Sequence, residues 1–538
     1  MPKKSNTSKQ EPKEKVEAPV TPPAPVKSVE ADEPKEKCKP EEPHTEKCCR
    51  KRQMPDPTSK RSKKRRMQEM KAKQPSICLE FFRSGKCTRE NCKYSHDIQK
   101  FLNERTDALD TVCPLYDYFG KCQSGLTCQW YKSHTTEDFK QMTKEKKMKV
   151  HPILPELNKQ DPPNIHLLRK GEYLFDIPTT FETPSKKLMT MDNKLILPSL
   201  CTFGNLPFRK TAKRYGCDVT MSEMVMANAL VEGNKSDWAL IRKDPLEDNF
   251  GIQLCVGNPV ECAKAISLLN GFDCNFYELN CACPIDLVCD TGMGARLLER
   301  PKKIAGLLAA ARGVTERPVA LKVRTGCDEI TIAKNLVPFV EDYGCGMLSI
   351  HGRTRKQRYT KSADWDYIQT CCGLTQCPVV GVGDIYTYDD YTKAMSTGVK
   401  SVAIGRGALM KPWIFTEIKE KRNWDITSSE RIEMLKQFAI DGLNHWGSDS
   451  KGVGTTREFM CHHLTFMSRY VPVHCLVDKQ KEISIHSKFE EGMQYKDEME
   501  ELLASDKIEN LVKITEMFLG PAPKDYVFVP KHNSYAKN

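Results

Sequence analysis

The chain has 538 residues, and its 83 lysines and arginines against 71 aspartates and glutamates give a formal net charge of +12 at pH 7. At ~100–200 residues per domain, this length predicts a few folded units joined by linkers. Residues 1–30 are polar and no apolar run is long enough to cross a bilayer, so we expect neither a secretory signal peptide nor a membrane-spanning helix, and no membrane partner.

The amino-terminal segment and the 24 cysteines bear on where the protein works. Residues 1–72 are dominated by Pro, Lys and Glu and are expected to be disordered. The basic run from Lys60 to Arg66 is consistent with a solvated linker, a nuclear localisation signal or a polyanion-binding arm. The cysteines are expected to be reduced thiols and metal ligands rather than disulfides, in a protein of the cytoplasm and the nucleus.

Two Cys/His clusters follow, at residues 73–100 and 108–136. The first has the spacing C-x8-C-x4-C-x3-H, and the second C-x8-C-x5-C-x5-H, in which the last interval is longer than usual. Three thiolates and one imidazole complete a tetrahedral zinc shell, and a segment this small needs the metal to fold. The predicted zinc ligands are Cys78, Cys87, Cys92 and His96 in the first cluster and Cys113, Cys122, Cys128 and His134 in the second.

Aromatic and basic residues lie between these ligands, among them Phe81, Tyr94 and Lys93 in the first cluster and Tyr116 and Trp130 in the second. Aromatic rings can stack on unpaired bases, and cations can contact phosphates. Both clusters resemble CCCH zinc fingers, whose members mostly bind RNA. A structural zinc module that contacts protein is the alternative interpretation.

Eight short apolar runs alternate with helix-like segments between residues 191 and 425. The runs are Leu195–Leu197, Asp218–Thr220, Phe250–Leu254, Phe276–Leu279, Val319–Val323, Met347–Ile350, Val379–Val382 and Ser401–Ile404. The segments between them include Leu206–Tyr215 and Val260–Leu269, the latter preceded by Pro259, a residue favoured at helix starts. This alternation predicts an α/β fold, a (β/α)8 TIM barrel.

The remaining segments flank this barrel. Residues 137–190 are predicted to be a linker, and residues 523–538 a tail. Residues 426–522 have helical periodicity and predict a separate helical domain that binds tRNA. In that domain Lys451, Arg457 and Arg469 are expected either to grip an RNA backbone or to be solvated surface charges.

Polar and glycine residues follow the predicted strand ends, the edge at which this fold builds active sites. The last two strands end in Gly381-Val382-Gly383-Asp384 and Gly405-Arg406-Gly407, where loops commonly form a phosphate site. Glycines let backbone amides approach a phosphate, a helix start adds a favourable dipole, and Arg406 supplies a charged partner. The pattern therefore predicts a phosphorylated cofactor.

Several strand-end motifs resemble those of the tRNA-dihydrouridine synthase family. They are Asn280–Pro284, Gly292–Ala295, Lys322–Gly326, Ile350–Arg355 and Ala363–Trp365. The segment Gly204–Arg209 and the paired fingers narrow the resemblance to the eukaryotic type-three members, which modify the variable loop of tRNA. It implies an FMN-dependent, NADPH-driven oxidoreductase that reduces the C5–C6 double bond of a uridine in tRNA. Messenger RNA stays open as a further substrate, and no obligate protein partner is expected.

The resemblance also implies which residues bind the cofactor and the substrate. Backbone contacts to the flavin are expected from Pro198, Ser199 and Leu200. Contacts to its ring or ribityl chain are expected from Gln253, Lys322 and His351, where a cation would stabilise the anionic reduced flavin. The residues expected to hold the phosphate are Val382, Gly383, Asp384, Gly405 and Arg406. Asn280 and Arg353 are expected to contact the substrate, with the flavin as an alternative partner of Asn280.

The implied reaction transfers a hydride from flavin N5 to uracil C6 and a proton to C5 from the opposite face. Cys283 is the expected acid, and it must be a thiol to give this proton. Cys255, Cys281 and Cys289 are expected to be small buried hydrophobic residues instead. The family usually has Gly where this chain has Ala282 and Asn where it has Val382. Ala282 is expected to be tolerated if its backbone φ is negative.

Two alternative functions stay open. One is a different FMN barrel reductase, such as a dihydroorotate or enoate reductase, which would not need RNA-binding fingers. The other is a non-catalytic CCCH RNA-binding protein with a degenerate barrel. The retention of Cys283, Lys322, His351 and Arg406 argues against the second.

Overall fold

The computed structural model describes residues 76–105, 107–144, 155–162, 164–182, 185–357, 359, 361–476 and 494–530. All of these belong to one compact unit, Arg66–Asn538. The predicted disordered tail, residues 1–72, lies outside the described residues.

Nine strands in the described part of the chain form one parallel sheet. They are β1 (Leu195–Leu197), β2 (Val219–Met221), β3 (Val225–Met226), β4 (Phe250–Cys255), β5 (Phe276–Cys281), β6 (Val319–Arg324), β7 (Met347–His351), β8 (Val379–Val382) and β9 (Ser401–Ala403). The order is β2-β1-β9-β8-β7-β6-β5-β4, and pairing of β2 with β4 closes the ring. The predicted (β/α)8 barrel is confirmed, and only the two-residue β3 was not predicted, because so short a segment carries no periodicity.

Helices precede, surround and follow the barrel. The finger region contains α1 (Leu79–Ser84), α2 (Ile98–Asn103) and α3 (Pro114–Phe119), and α4 (Ile165–Lys170) precedes the barrel. The barrel carries α5 (Leu206–Arg214), α6 (Ala227–Val231), α7 (Lys235–Trp238), α8 (Pro259–Leu269), α9 (Asp286–Cys289), α10 (Pro301–Arg312), α11 (Ile332–Asn335), α12 (Trp365–Cys372), α13 (Tyr388–Ser396), α14 (Arg406–Met410) and α15 (Ile414–Glu420). The carboxyl-terminal region contains α16 (Ser428–Trp446), α17 (Ser450–Met467), α18 (Val473–Leu476), α19 (Glu498–Ala504) and α20 (Ile508–Leu519). Short 3-10 helices span Gly125–Thr127, Tyr131–Ser133, Ala239–Ile241, Gly294–Glu299 and Val337–Phe339.

Local chemistry explains where several of these elements begin. The side chains of Asn205 and Asn258 accept hydrogen bonds from the first turns of α5 and α8, and a proline follows each asparagine within two residues. α16 begins with a capping box between Thr427 and Glu430. Every residue of β4 and β5 is buried, as expected of parallel strands covered on both faces.

The helical domain docks on the first barrel helix through buried charges. Asp441 of α16 pairs with Lys210 at 3.1 Å and with Arg214 of α5. On the same barrel helix, the ring of Phe208 stacks on that of His463, with ring centroids 4.4 Å apart. The helical domain is therefore packed directly against the barrel.

Arg457 is a structural residue, which corrects both expectations for it, a grip on RNA and a solvated surface charge. Its side chain is 1% exposed. The guanidinium donates to Thr515 Oγ1 at 2.8 Å and to the carbonyl oxygen of Gly520 at 2.7 Å. It thereby ties α17 to the end of α20. Arg469 is also buried, and of the three cations expected to face RNA only Lys451 is exposed.

We expect Arg457→Met to destabilise the protein by about 2 kcal/mol, because methionine keeps the apolar stem but leaves the carbonyl of Gly520 without its donor. Thermal unfolding measures this change, with the exposed Lys451→Met as the matched control. The affinity of Arg457→Met for tRNA, measured at a temperature where this variant is folded, should equal that of the wild type. Weaker RNA binding by Arg457→Met at unchanged stability would contradict this assignment.

The predicted linker and tail both contact the folded core where they are described. Leu157 pairs with Lys243 in an antiparallel bridge, and the Asn158 side chain donates to the carbonyl oxygens of Ile241 and Asp273. Phe528 is buried, with its ring 4.9 Å from that of His462. None of the helices that the structure describes is long and apolar enough to cross a membrane.

Candidate active site and zinc centres

Strand register brings the predicted site residues together at the carboxyl end of the barrel. Gln253 of β4 is level with Glu278 of β5, and Asn280 is level with Lys322 of β6. Arg324, two residues after Lys322, is level with His351 of β7. Side chains two apart on a strand point to the same side, so these polar groups share the barrel interior.

A directed chain of hydrogen bonds runs from Glu278 to the backbone of Cys283. Glu278 accepts from Ser349 Oγ at 3.1 Å and from Gln253 Nε2 at 2.6 Å. Gln253 Oε1 accepts from Asn280 Nδ2 at 2.7 Å. Asn280 Oδ1 then accepts from the backbone N–H groups of Ala282, at 3.0 Å, and Cys283, at 2.8 Å. A carboxylate can only accept, so it fixes the orientation of both amides along the chain.

The bonds of Asn280 leave its side chain little capacity for other partners. Its oxygen accepts two hydrogen bonds, and its nitrogen also lies 3.3 Å from Met224 Sδ. Asn280 therefore positions the strand end that carries Cys283, and its direct contact with substrate stays a prediction. Gln253 keeps one N–H after its bond to Glu278, so its predicted bond to a flavin ring is compatible with the structure.

Cys283 lies in an apolar pocket at the end of β5. It is 8% exposed and packs with Cys255 and Val288, beside half-buried methionines. Burial raises the pKa of the Cys283 thiol, while the N–H of Ile285 acts in the opposite direction. The group is therefore a thiol at neutral pH, which is the form that an acid requires.

The loop around Cys283 is held from two sides. Arg324 Nε donates to the carbonyl oxygen of Ala282 at 2.8 Å. Gly294 lies so close that a Cβ there would be 2.6 Å from the carbonyl oxygen of Cys283, and its φ of +58° suits glycine. Ala282 is not among the described residues with positive φ, so this departure from the family sequence is tolerated as expected.

Lys322 is a buried ammonium group without a hydrogen-bond partner in the described part of the chain. Burial lowers the pKa of Lys322, the Glu278 carboxylate raises it, and the Arg324 guanidinium lowers it. An unpaired buried cation is costly, so this nitrogen fits a partner that brings acceptor atoms. Glu278 was not predicted as a site residue, although its two-residue separation from Asn280 on one strand was a usable signal.

We expect Glu278→Gln to reduce turnover about tenfold, because an amide in place of the carboxylate no longer orients Gln253 and no longer favours the charged form of Lys322. The pKa of Lys322 should fall further. The rate of flavin reduction by NADPH, measured without RNA, should then decline at lower pH than in the wild type, and Glu278→Asp should restore part of it. Equal pH profiles for wild type and Glu278→Gln would contradict this role.

The loops after β8 and β9 hold a second group of charges. Asp384 accepts from Arg406 at 2.7 Å, from Arg353, and from the backbone N–H of Ala363 at 2.7 Å. A Cβ at Gly383 would lie 2.4 Å from the Cβ of Ala363, so only glycine fits there. α14 begins at Arg406, as predicted, and is five residues long.

One nitrogen of the Arg406 guanidinium is left for a ligand in this group. Its NH1 is buried and has no hydrogen-bond partner among the described residues. The guanidinium lies over the ring of Tyr359, 4.2 Å from the centroid. Since NH2 is held by Asp384, NH1 is available for an anion, which supports the predicted phosphate site. Tyr359 was not predicted as part of this site.

Four cations surround His351. Burial holds the pKa of this imidazole well below its usual value, and Arg324, Lys322, Arg353 and Arg406 lower it further. His351 is therefore neutral, and the four cations around it outnumber the neighbouring carboxylates of Glu278 and Asp384. Such a field favours an anionic ligand.

The structure shows which protein groups two of the predicted site residues contact. Arg353, expected to contact substrate, is 1% exposed and bonds Asp384 and the carbonyl oxygen of Lys361 at 2.7 Å. It thus belongs to the charged group beside β8, and contact with substrate stays a prediction. The carboxylate of Asp384 is occupied by two arginines, so it orients the predicted phosphate ligand Arg406, and any phosphate contact of its own would be through the backbone.

The residues around the barrel mouth fit FMN, because three of their hydrogen-bond donors have no partner in the described part of the protein. Lys322 Nζ, Ser199 Oγ and Arg406 NH1 are buried and have no partner within the described residues. Ser199 follows directly on Pro198, two residues beyond the end of β1, and Leu200 and Gly405 lie in contact range of one another. An ammonium, a hydroxyl and a guanidinium edge match the acceptors of a flavin ring, a ribityl chain and a phosphate.

Both predicted zinc sites are assembled, and they are the Cys/His clusters that the described residues contain. In each, the three sulfur atoms and one imidazole nitrogen lie within 4.8 Å of one another. In both fingers the first cysteine is the N-cap of a short helix that a left-handed glycine ends, Gly85 in one and Gly120 in the other. The donor set matches structural zinc.

His134, whose spacing was unusual, belongs to the second cluster. It is fully buried, and both of its ring nitrogens are without a hydrogen-bond partner in the part of the chain that the structure describes. A buried imidazole in that state fits a metal ligand. Gly125–Thr127 and Tyr131–Ser133 form 3-10 turns around Cys128, and they accommodate the extra residues before His134.

Comparisons with known proteins agree with this geometry. The family model described as "Dihydrouridine synthase (Dus)" matches residues 200–517. A Xenopus tropicalis protein named "tRNA-dihydrouridine(47) synthase [NAD(P)(+)]-like" is 38% identical over 516 residues, covering 86% of this chain and 80% of that protein. The human protein of the same name is 35% identical over 513 residues, with 83% and 78% covered. A Coprinopsis cinerea protein named "tRNA-dihydrouridine(47) synthase [NAD(P)(+)]" is 41% identical over 378 residues, with 67% and 55% covered.

Proposed function

The chain belongs to the dihydrouridine synthase family, and from this membership we propose that it reduces a uridine of tRNA to dihydrouridine, using FMN and NADPH. The observation that carries the proposal is the content of the barrel mouth. A buried thiol, Cys283, shares it with the ammonium of Lys322 and one edge of Arg406, neither of which has a hydrogen-bond partner among the residues that the structure describes.

Different residues of the barrel mouth would bind different parts of the cofactor. Arg406 NH1, with the glycines of the loops after β8 and β9, would hold the phosphate, while Asp384 orients the arginine. Lys322 would lie at the flavin ring, and Ser199 beside it. When bound, FMN supplies the hydride that reduces the uracil ring and is itself reduced by NADPH.

Cys283 supplies the proton. Reduction of the C5–C6 bond adds one hydride and one proton, and a proton donor must therefore face C5. The thiol is protonated because burial raises its pKa. Asn280 holds the backbone of Cys283 in place, and Glu278 holds Asn280 through Gln253, so the acid stands at the end of an oriented chain.

The surrounding charges favour the reaction. Negative charge accumulates on the C4 carbonyl of uracil as the hydride arrives, and fixed cations stabilise it without reorganisation. Arg324 and Lys322 provide such a field, and His351 stays neutral within it, so it can donate or accept one hydrogen bond.

We further propose that the substrate is the uridine at position 47 of tRNA, in the variable loop. The relatives carry this position in their names, and this chain has the paired Cys/His clusters that the resemblance associates with members modifying the variable loop. The uridine must leave its stack to reach the buried Cys283, because the thiol lies inside the barrel mouth.

The test is dihydrouridine formation by the purified full chain with NADPH and tRNA transcribed without modifications. Nucleoside mass spectrometry measures the product, and mass spectrometry of nuclease fragments locates it. Product at position 47 is the expected result. Product elsewhere would reject the position and keep the activity, whereas no product from a flavin-loaded protein that NADPH reduces would favour a different FMN reductase.

A further inference from the structure

The two zinc clusters differ sharply in their surroundings. In the second, all four predicted ligands are at most 1% exposed. In the first, Cys87 and Cys92 are half-buried and His96 is exposed. Two modules with the same donor set therefore have opposite relations to solvent.

The second cluster is buried because it contacts the loop between α16 and α17. Cys122 Sγ lies 3.3 Å from Ser448 Oγ. The backbone of the same serine is bonded in both directions, since Gln129 N–H donates to its carbonyl oxygen at 2.9 Å and its own N–H donates to Ser124 Oγ at 3.2 Å. One residue of the helical domain thus contacts a predicted zinc ligand and two finger residues around it.

Neighbouring residues extend this junction. Asp107 accepts from Ser450 Oγ at the first turn of α17. Leu109 contacts Gly520 at the end of α20 closely enough that a Cβ there would lie 2.7 Å from Leu109 Cδ1. Two aromatic residues of this finger that could have stacked on bases are buried instead, since Trp130 is 1% and Tyr116 8% exposed.

We propose that the two fingers have different functions. The second is a zinc-dependent fastener between the finger region and the helical domain, and Ser448 donates a hydrogen bond to the zinc-bound sulfur of Cys122. The first is the finger that contacts RNA. The RNA part rests on the proposed tRNA substrate, and the fastener part does not.

The surface of the first finger has the chemistry that RNA requires. The Tyr94 side chain is 47% exposed. Lys86, directly before Cys87, and Lys93, directly after Cys92, are exposed as well. The Arg89 guanidinium lies 5.5 Å from the centroid of the Tyr94 ring. An exposed ring among cations offers a base a stacking face and offers phosphates their counter-charge.

Zinc release from the full chain tests the fastener. With a colorimetric chelator in excess, we expect two phases of one zinc each, a fast one from the exposed cluster and a slow one from the buried cluster. Exchange of the backbone amide hydrogens of residues 443–452 should become faster only as zinc leaves the buried cluster in the slow phase. A single phase, or a slow phase without faster exchange there, would overturn the proposal.

Ser448→Ala isolates the hydroxyl and keeps the backbone bonds. We expect the slow phase to become at least tenfold faster, because loss of a partner of a metal ligand typically weakens binding 10- to 100-fold. Ser396→Ala is the matched control, since Ser396 is exposed and its hydroxyl bonds Lys393 within α13. Equal rates for wild type and Ser448→Ala would overturn the role of this serine.

Binding of unmodified tRNA tests the other half. Tyr94→Ala and Lys93→Ala should together weaken binding about tenfold, with no change in the slow zinc phase. Ser448→Ala should leave the affinity for tRNA unchanged as long as the second cluster holds its zinc. Unchanged affinity in the Tyr94/Lys93 variant, in a wild type that binds and modifies tRNA, would reject the RNA role of the first finger, whereas a wild type that binds no tRNA would reject the proposed substrate.

Discussion

Replacing Cys283 with alanine is expected to reduce dihydrouridine formation by about 10²- to 10⁴-fold, the range that a positioned acid contributes. The reduction of the bound flavin by NADPH should be unchanged, because no proton from Cys283 enters that half of the reaction. Rapid mixing with NADPH alone, and then with tRNA, separates the two halves. A variant that slows both equally would point to a damaged site instead.

Cys289→Ala is the matched control, since that thiol is also buried and lies beside the acid, donating to the carbonyl oxygen of Cys283 at 3.3 Å. We expect close to wild-type turnover from it. If Cys289→Ala lost activity and Cys283→Ala retained it, Cys289 and not Cys283 would be the acid.

The pH profile provides a second criterion for the acid. A donor acts while protonated, and burial raises the pKa of Cys283, so the uracil-reducing half should be constant through neutral pH. It should decline only as pH rises past the raised pKa, above the ordinary thiol value of about 8.5. In Cys283→Ala this decline should be absent from the residual rate.

The barrel was predictable because its signals are local. Most strands are short, largely apolar runs followed by a polar or glycine end, as in Val379–Val382, which Gly383 and Asp384 follow, and neither feature depends on distant residues. Cys283 and Arg406 were predictable for the same reason, since both stand at strand ends. The family resemblance then supplied roles that position alone does not.

Residues that act through distant partners were missed or misjudged. Ser448 lies 326 positions from Cys122, so nothing near it in the sequence marks it as a neighbour of a zinc ligand. Arg457 carries a charge that helical periodicity alone does not place, and only the packing of α20 shows that it is buried. Glu278 was overlooked because its hydrogen-bond partners, Gln253 and Ser349, lie on other strands, 25 and 71 positions away in the sequence.

Lys322→Met should lower both the midpoint potential of the bound flavin and the rate of dihydrouridine formation, the latter about 100-fold. Methionine matches the length of the stem and removes the charge that would stabilise the anionic reduced ring. An interaction of about 3 kcal/mol at this depth corresponds to roughly 60 mV for a two-electron couple. Spectroelectrochemical titration of the flavin-loaded variant measures the shift.

The exposed Lys334→Met makes the same substitution on the barrel surface and should change neither quantity. The direction of the shift follows from the state of Lys322 Nζ, which has no hydrogen-bond partner within the described part of the chain, because a buried cation in that state must be compensated by its ligand. Glu278 stays in place in Lys322→Met, so the barrel interior gains an uncompensated carboxylate that disfavours the anionic ring further. An unchanged potential together with wild-type turnover would mean that Lys322 does not face the cofactor.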